Sequence, residues 1–459
     1  MPNLFGPNGR LYADPHPAPG EVAFRQDNTS SAYYNSPYYL AHKNQVQRVP
    51  PRRNNLPVKL TDFLPTEVVA AIQSSGSISF HATGDTGAAK VNRSQSVTTA
   101  LADQGRVAQA MVDEVDTQGD SGPAFLFLLG DVIYNFGEGQ YYYDQFYEPY
   151  RAYDRPIFAI PGNHDGAVFG AGSSAPQVPS LDAFLTNFCA AAPGPAPDAF
   201  GLVRSAMTQP GVYFTLDAPF VSIIGLYSNT LEGPGVISSQ NGHFPIGDDQ
   251  LSFLKTELIR LKSQRESGQR AIVLAVHHPP LSADALHGGS TGVQADMDAC
   301  CREAGIWPDL VLSGHAHLYQ RFTRTVDGGK QTPYLVAGSG GFAVTAPTAK
   351  TPAAPVSVGD HTLEIDPILK FGYLVIETDG KTALTVTFKS ADGNGVAVQD
   401  KVSVDLATGK VAGATPAGSS AGARGRRGST SSRSATKKAP AKKTTAKKSP
   451  RKSATRRGG

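Results

Sequence analysis

Residues 125–134 read FLFLLGDVIY, from Phe125 to Tyr134, and the fold turns on them. Phe125, Leu126, Phe127, Leu128 and Leu129 are apolar without interruption, too few to span a membrane, and stopped at once by Gly130 and Asp131. Such a run is a strand buried on both faces, as in a parallel sheet, and its end aims a carboxylate out of the sheet edge. Tyr134 adds a phenol from the same loop, and carboxylate and phenol are hard oxygen donors able to reach one cation. Taken alone, the pattern is better explained by Asp131 capping the next turn. What matters is whether it recurs.

It recurs four times. Upstream, Thr66–Ile72 predicts a short helix, and Ser77–Ala82, SISFHA, alternates as a strand does before breaking at Gly84-Asp85-Thr86-Gly87. Between the two strands, Val97, Leu101, Val107, Met111, Val112 and Val115 recur at helical spacing, so residues 94–117 form a crossover helix and the unit is βαβ. Downstream, an aromatic-rich helix over Tyr141–Tyr150 leads to an apolar strand, Pro156–Ile160, that stops at Pro161-Gly162-Asn163-His164-Asp165. A Pro/Gly/Ala-rich insertion at 190–201 and a hairpin over Val212–Tyr227 follow. Leu251, Leu254, Leu258 and Leu261 then share one face of a helix over Asp248–Gln264. The next strand, Ala271–Val276, delivers His277 and His278 before Pro279. After a helix over Gln294–Ala304, the strand Leu310–Leu312 ends in Ser313-Gly314-His315-Ala316-His317. Histidines two apart at a strand end face the same way. Any one of these side chains could be an ordinary satisfied core or turn residue. Strand ends carrying Asp85, Asp131 with Tyr134, Asn163 with His164, His277, and His315 with His317 read together as one metal site at the carboxyl edge of a sheet.

Composition sets the frame. The 459 residues, 40% hydrophobic, can bury a large core, and one large α/β domain is expected. The net charge of +3 hides a split, because residues 416–459 hold 14 of the 42 Lys and Arg and no acid, leaving 28 basic residues against 39 acidic ones before them. The chain is thus an acidic body with a basic tail. That tail is low in complexity and cannot bury a core, so a disordered segment is expected at 413–459, and its Lys-Lys pairs resemble those of linker-histone tails. Nucleic acid, polyphosphate or an anionic surface are its expected partners, with a solvated tail as the alternative. Cys189, Cys300 and Cys301 cannot make a disulfide framework and fit a reducing compartment. No signal-peptide pattern or transmembrane run is recognisable, so a cytoplasmic protein is expected. Residues 1–64, rich in Pro, Asn and Tyr, are expected to be an irregular arm anchored by Tyr33, Tyr34, Tyr38 and Tyr39, with the main folded domain over 65–412.

The blocks Asp85-x-Gly87, Gly130-Asp131-x-x-Tyr134, Gly162-Asn163-His164-Asp165, His277-x-Pro279 and Gly314-His315-x-His317 resemble the signature of calcineurin-like metallophosphoesterases, and of purple acid phosphatases in particular. The resemblance covers about Ser77 to Arg321. It implies an α/β (α+β) sandwich, a four-layer α/β/β/α metallophosphoesterase fold with two mixed β-sheets, closed by strands at Pro333–Ala337, Tyr373–Thr378, Ala383–Lys389 and Val402–Leu406. Type I′-like turns are expected at Asp379-Gly380 and Asp392-Gly393. The resemblance further implies a binuclear-metal hydrolase that cleaves phosphate monoesters by attack of a metal-bound hydroxide. Asp85, Tyr134 and His317 would hold Fe(III), Asn163, His277 and His315 a divalent Fe, Zn or Mn ion, and Asp131 would bridge the two. His164 would contact the phosphate or protonate the leaving group, a role suited to imidazole. His278, adjacent to His277, is an alternative ligand or a support to one. His287 stands where plant members carry a substrate-side histidine, with a solvated loop residue as the equal alternative. A phosphodiesterase using the same site, or a polyanion-binding protein on this scaffold, are the other readings. With about 75 residues before the first block, no extra N-terminal β-sandwich is expected.

Overall fold

The structure, a computed structural model, describes residues 49–87, 97–134, 137, 139–166, 181–199, 202, 204–228, 235–240, 246–284, 286–347, 353–358 and 360–412. The aromatic anchors at 33–39 and the basic tail at 413–459 lie outside these residues. The described residues begin with strand β1 (Val58–Lys59), helix α1 (Thr66–Ser75), β2 (Ile78–Thr83), α2 (Val97–Gln118), β3 (Leu126–Leu128) and β4 (Ile157–Ala159). It continues through α3 (Asp182–Phe188), β5 (Phe214–Ala218), β6 (Val221–Leu226), α4 (Asp249–Glu266), β7 (Ala271–Val276), α5 (Thr291–Ala304) and β8 (Leu310–Ser313). The closing strands are β9 (Tyr319–Thr325), β10 (Gln331–Ala337), β11 (Val356–Val358), β12 (His361–Leu363), β13 (Gly372–Thr378), β14 (Ala383–Asp392), β15 (Gly395–Asp405) and β16 (Lys410–Val411).

These strands make two mixed sheets. One runs β16-β15-β14-β13-β2-β3-β4 and the other β1-β5-β6-β7-β8-β10-β9-β12-β11. In the first, β2, β3 and β4 are parallel and β13 is antiparallel to β2. In the second, β6, β7, β8 and β10 are parallel, and β9 turns back against β10. The strand-by-strand burial explains the uninterrupted apolar runs. Phe125, Phe127 and Leu129 point between the sheets, where they join Phe80, Phe214, Ile223, Val273 and Leu312 in one core. Leu126 and Leu128 point the other way, into a second core with Val107, Met111 and Val115 of α2. On the far side, Leu254, Leu258 and Leu261 of α4 cover Ile272 and Leu274 of β7. Helix, sheet, sheet and helix are therefore stacked in four layers, each inner strand contributing about 1.5–3 kcal/mol per fully buried large side chain.

Several local expectations are corrected. The segment Tyr141–Tyr150 is no regular α-helix: Tyr143–Tyr147 is a π-turn, and the widened turn lets Gln145 face the backbone of Tyr134. Neither expected turn is type I′, which needs left-handed backbone at both central residues. Gly380 has φ 69° but Asp379 is not left-handed, because its carboxylate accepts the N–H groups of Lys381, Thr382 and Ala383 and so widens the loop. The second hairpin centres on Gly393-Asn394, with Gly395 left-handed instead. The last long strand starts at Gly395, not Val402, because its exposed first half carries no core pattern. Strands β9, β11 and β12 had no clear alternation to reveal them. At the front, Val58–Lys59 pairs with β5 inside the stretch read as an arm, and Arg53 donates to the carbonyls of Thr208 and Gln209. Among the described residues, no helix is long and apolar enough to cross a membrane.

Candidate metal centre

Five strand ends converge at one edge of the sandwich. Asp85 follows β2, Asp131 follows β3, Asn163 opens the helical turn Asn163–Gly166 after β4, His277 follows β7, and His315 and His317 follow β8. Asp85 (φ 59°), Asp131 (φ 50°) and His315 (φ 67°) all adopt left-handed backbone, a conformation costing L-residues about 1–3 kcal/mol that persists only where surrounding structure holds it. The holding contacts are visible. Asp85 Oδ2 accepts from the backbone N–H of His315 at 2.8 Å, and Asp131 Oδ1 from that of His164 at 2.9 Å. Gly162 passes so close to Asp131 that a Cβ there would lie 2.1 Å from Oδ1, which is why the turn before Asn163 needs glycine.

At the centre lies the Tyr134 phenol, donating toward Asp85 Oδ1 at 2.8 Å and Asp131 Oδ2 at 2.9 Å, with His317 Nε2 at 3.2 Å. Phe342 lies flat on its ring, 3.7 Å between centroids and 5° between planes. Beside it, Asn163 Oδ1 sits 3.0 Å from His277 Nε2 and 3.0 Å from His315 Nδ1, and His277 Nε2 is 3.3 Å from Asp131 Oδ2. Asp131, His277 and His315 each place an atom within 4.8 Å of the other two. His277 Nδ1 donates to the Leu129 carbonyl at 2.8 Å, which fixes the ring so that Nε2 is the nitrogen turned inward toward Asn163 and Asp131.

Electrostatics follow from burial. Burial and the two carboxylates push the Tyr134 phenol well above its usual range. Burial alone would lower His277, but the charge of Asp131 overrides it and raises the imidazole to about 9. Burial, then the neighbouring histidines, hold His315 and His278 well below the usual value, so both are neutral imidazoles. Two carboxylates enclosed here need cations, since an uncompensated buried charge costs several kcal/mol. The donor set fits that need. Asn163 Nδ2, His315 Nε2 and His317 Nδ1 are buried without a hydrogen-bond partner, and the oxygen-rich group around Tyr134 adjoins an imidazole-rich group around Asn163. Asp85, Tyr134 and His317 could hold one ion, Asn163, His277 and His315 another, with Asp131 between them.

The remaining candidates line the same centre. His164, half-buried, packs its ring 4.4 Å from that of Tyr134. His278 is fully enclosed: Nδ1 meets Ser228 Oγ at 2.8 Å, its ring lies 4.1 Å from His315, and Nε2 is unpartnered. His287 is only 7% exposed rather than a solvated loop residue, with its ring 4.6 Å from His315 and 5.0 Å from His317. Asp284 orients it, accepting from Nδ1 at 2.8 Å and being itself fixed by Thr345 Oγ1 at 2.7 Å.

Sequence reasoning missed the supports. Asp165 carries no expected role, yet its buried carboxylate accepts from Gly162 N at 2.8 Å and Val132 N at 3.1 Å, tying the Asn163 turn to the Asp131 loop. Its place in the block Gly162-Asn163-His164-Asp165 was the only signal. Asp165→Ala would strand those buried N–H groups at about 1–3 kcal/mol each. Denaturant unfolding should show a loss of about 2–6 kcal/mol, with lowered metal content; unchanged values for both would refute this role. Gln145 acts on the backbone of Tyr134, and Ser228 and Asp284 on both the backbone N–H and Nδ1 of His278 and His287, contacts that no spacing rule announces.

Residues 78–319 match the family model described as calcineurin-like phosphoesterase. Among solved structures, the chain resembles a purple acid phosphatase from yellow lupin (Lupinus luteus) seeds at 15% identity and a TM-score of 0.50. The match covers 72% of this chain and 54% of the lupin chain, so this chain spans about half the length of that enzyme. It also resembles PhoD (13% identity, TM-score 0.45, covering 81% of this chain and 74% of that one). A third is GAP50, the anchor in the inner membrane complex of Plasmodium (13% identity, TM-score 0.46, covering 71% and 90%). No curated protein sequence matched.

Proposed function

Because the chain belongs to the calcineurin-like phosphoesterase family, a family of metal-dependent phosphoester hydrolases, we propose that it is a purple acid phosphatase-like enzyme that hydrolyses phosphate monoesters at a binuclear centre. The observation that carries this reading is the Tyr134 phenol set within 2.8–3.2 Å of Asp85, Asp131 and His317. Phenolate, carboxylate and imidazole suit Fe(III), while the amide oxygen of Asn163 with His277 and His315 suits divalent Fe, Zn or Mn. When bound, two such ions supply Lewis acidity at the phosphate oxygens and lower the pKa of water to near neutrality.

The chain's own residues do the rest. Asp131 neutralises charge on both sides of the pocket. His164, beside the centre with its backbone N–H on Asp131, holds a proton for the leaving oxygen. The Asp284–His287 pair presents a second oriented imidazole, and His278 offers Nε2, the nitrogen left when Nδ1 bonds Ser228. The same centre would serve diesters, so a chromogenic monoester and its diester analogue must be compared. Residues 416–459, with 14 Lys and Arg and no acid, are proposed to hold polyanions near the enzyme, and removing 413–459 should leave turnover of the small monoester unchanged.

The test of the site is spectroscopic. Metal analysis should give two ions per chain, one of them iron, with a visible phenolate-to-Fe(III) band that Tyr134→Phe abolishes. A colourless, fully active protein holding two divalent ions would overturn the Fe(III) assignment.

A further inference from the structure

At the opposite end of β4 from Asn163, about 20 Å away along the strand, a hollow of 590 Å³ opens between the β4 entry and the segment 204–208. One wall is apolar, made by Phe63, Leu64 and Met207, and Phe63 is braced edge-on against Phe158 at 5.0 Å. The other carries Arg151, Arg155 and Arg204.

Arg204 is the unusual member. Its guanidinium donates to the carbonyls of Arg155 at 3.3 Å, Tyr150 at 3.3 Å and Tyr153, and among the described residues no carboxylate pairs with it. Arg155 is 19% exposed, donates to the Gly119 carbonyl at 3.2 Å, and lies near the largely exposed Asp154 at 3.6 Å and Asp120 at 4.0 Å, pairs that water screens. Arg151 is 66% exposed, 3.7 Å from Glu148. The lining carboxylates are already engaged: Asp62 accepts from Lys59 N at 2.9 Å, and Asp154 turns to Arg155. With Glu148 and Asp120 standing at the margin beside Arg151 and Arg155, Arg204 is the lining guanidinium that, among the described residues, no carboxylate offsets.

A cleft of this size, half apolar and half cationic, has the character of a small-molecule site. We propose that this hollow binds an organic carboxylate, a monoanion with a flat apolar body, the body lying on Phe63, Leu64 and Met207 and the carboxylate meeting Arg155 and Arg204. One guanidinium without a carboxylate partner favours a monoanion over a phosphate dianion, and a guanidinium fork matches carboxylate geometry.

Calorimetric titration of the metal-loaded full chain with 1-naphthoate, under saturating orthophosphate to fill the phosphate-binding centre, tests this. Saturable binding in the millimolar range or tighter is expected, and the neutral 1-naphthamide should bind at least about tenfold more weakly. The Arg151→Ala/Arg155→Ala double variant should lose about tenfold or more in affinity with phosphatase turnover and thermal midpoint unchanged. Absence of saturable binding, displacement by orthophosphate, equal binding of the amide, or unaltered affinity in the double variant would each overturn the site. Much tighter binding of the dianion 1-naphthylphosphonate would overturn the carboxylate assignment.

Discussion

Asp131→Ala should empty or scramble both metal positions and reduce turnover by at least about 10³-fold, the largest effect expected of any single substitution in the chain. The reason is geometric. Asp131 Oδ2 faces Tyr134 at 2.9 Å and His277 at 3.3 Å, so it adjoins both donor groups and alone could shield two cations from each other. Its Oδ1 also accepts the backbone N–H of His164, so the deletion loosens the Asn163 turn as well. Metal analysis of the purified variant beside wild type is the measurement, with circular dichroism to show that the sheets persist. Two ions per chain in a folded Asp131→Ala protein would refute the bridging assignment.

His164→Ala should separate catalysis from metal binding. Neither ring nitrogen of His164 is required by the proposed ligand sets; its ring lies against Tyr134 and its main chain serves Asp131. The variant should therefore keep both ions and its visible band. Loss of a general acid costs about 10²–10⁴-fold, and the loss should be steepest for alkyl phosphates, whose leaving oxygen needs a proton, and shallowest for nitrophenyl phosphate. An equal loss across leaving groups would make His164 a phosphate-positioning residue and transfer the acid role to His278 or His287. The Asp284–His287 pair makes that alternative concrete, and Asp284→Asn would then reshape the pH profile while preserving the metals.

Much of this was legible in the sequence because the site sits where patterns change. A run such as Phe125–Leu129 is forced by burial between a helix layer and a second sheet, and the break to Gly130-Asp131 shows where burial ends. The same transition marks Asp85, Asn163, His277 and His315. What stayed hidden has the opposite character. The edge strand Val58–Lys59 is too short for a period, and β15 begins with exposed residues that no core disciplines. Gln145 holds a backbone group 11 residues away, Asp165 one 33 away and Ser228 one 50 away, and that work leaves no mark on local spacing.

The left-handed backbone at Asp85, Asp131 and His315 bears on how much of the protein survives. Strained residues and enclosed carboxylates are unfavourable until a cation offsets them, so under the proposed function part of the folding free energy arrives with the ions. Ligands that bind only the native chain stabilise it by mass action, as the logarithm of their concentration over Kd. Abundance would then track metal supply: chains made during scarcity open more often and are exposed to proteolysis, while loaded chains accumulate. Quality control would thus discard inactive molecules first, with no sensor beyond the geometry of three residues.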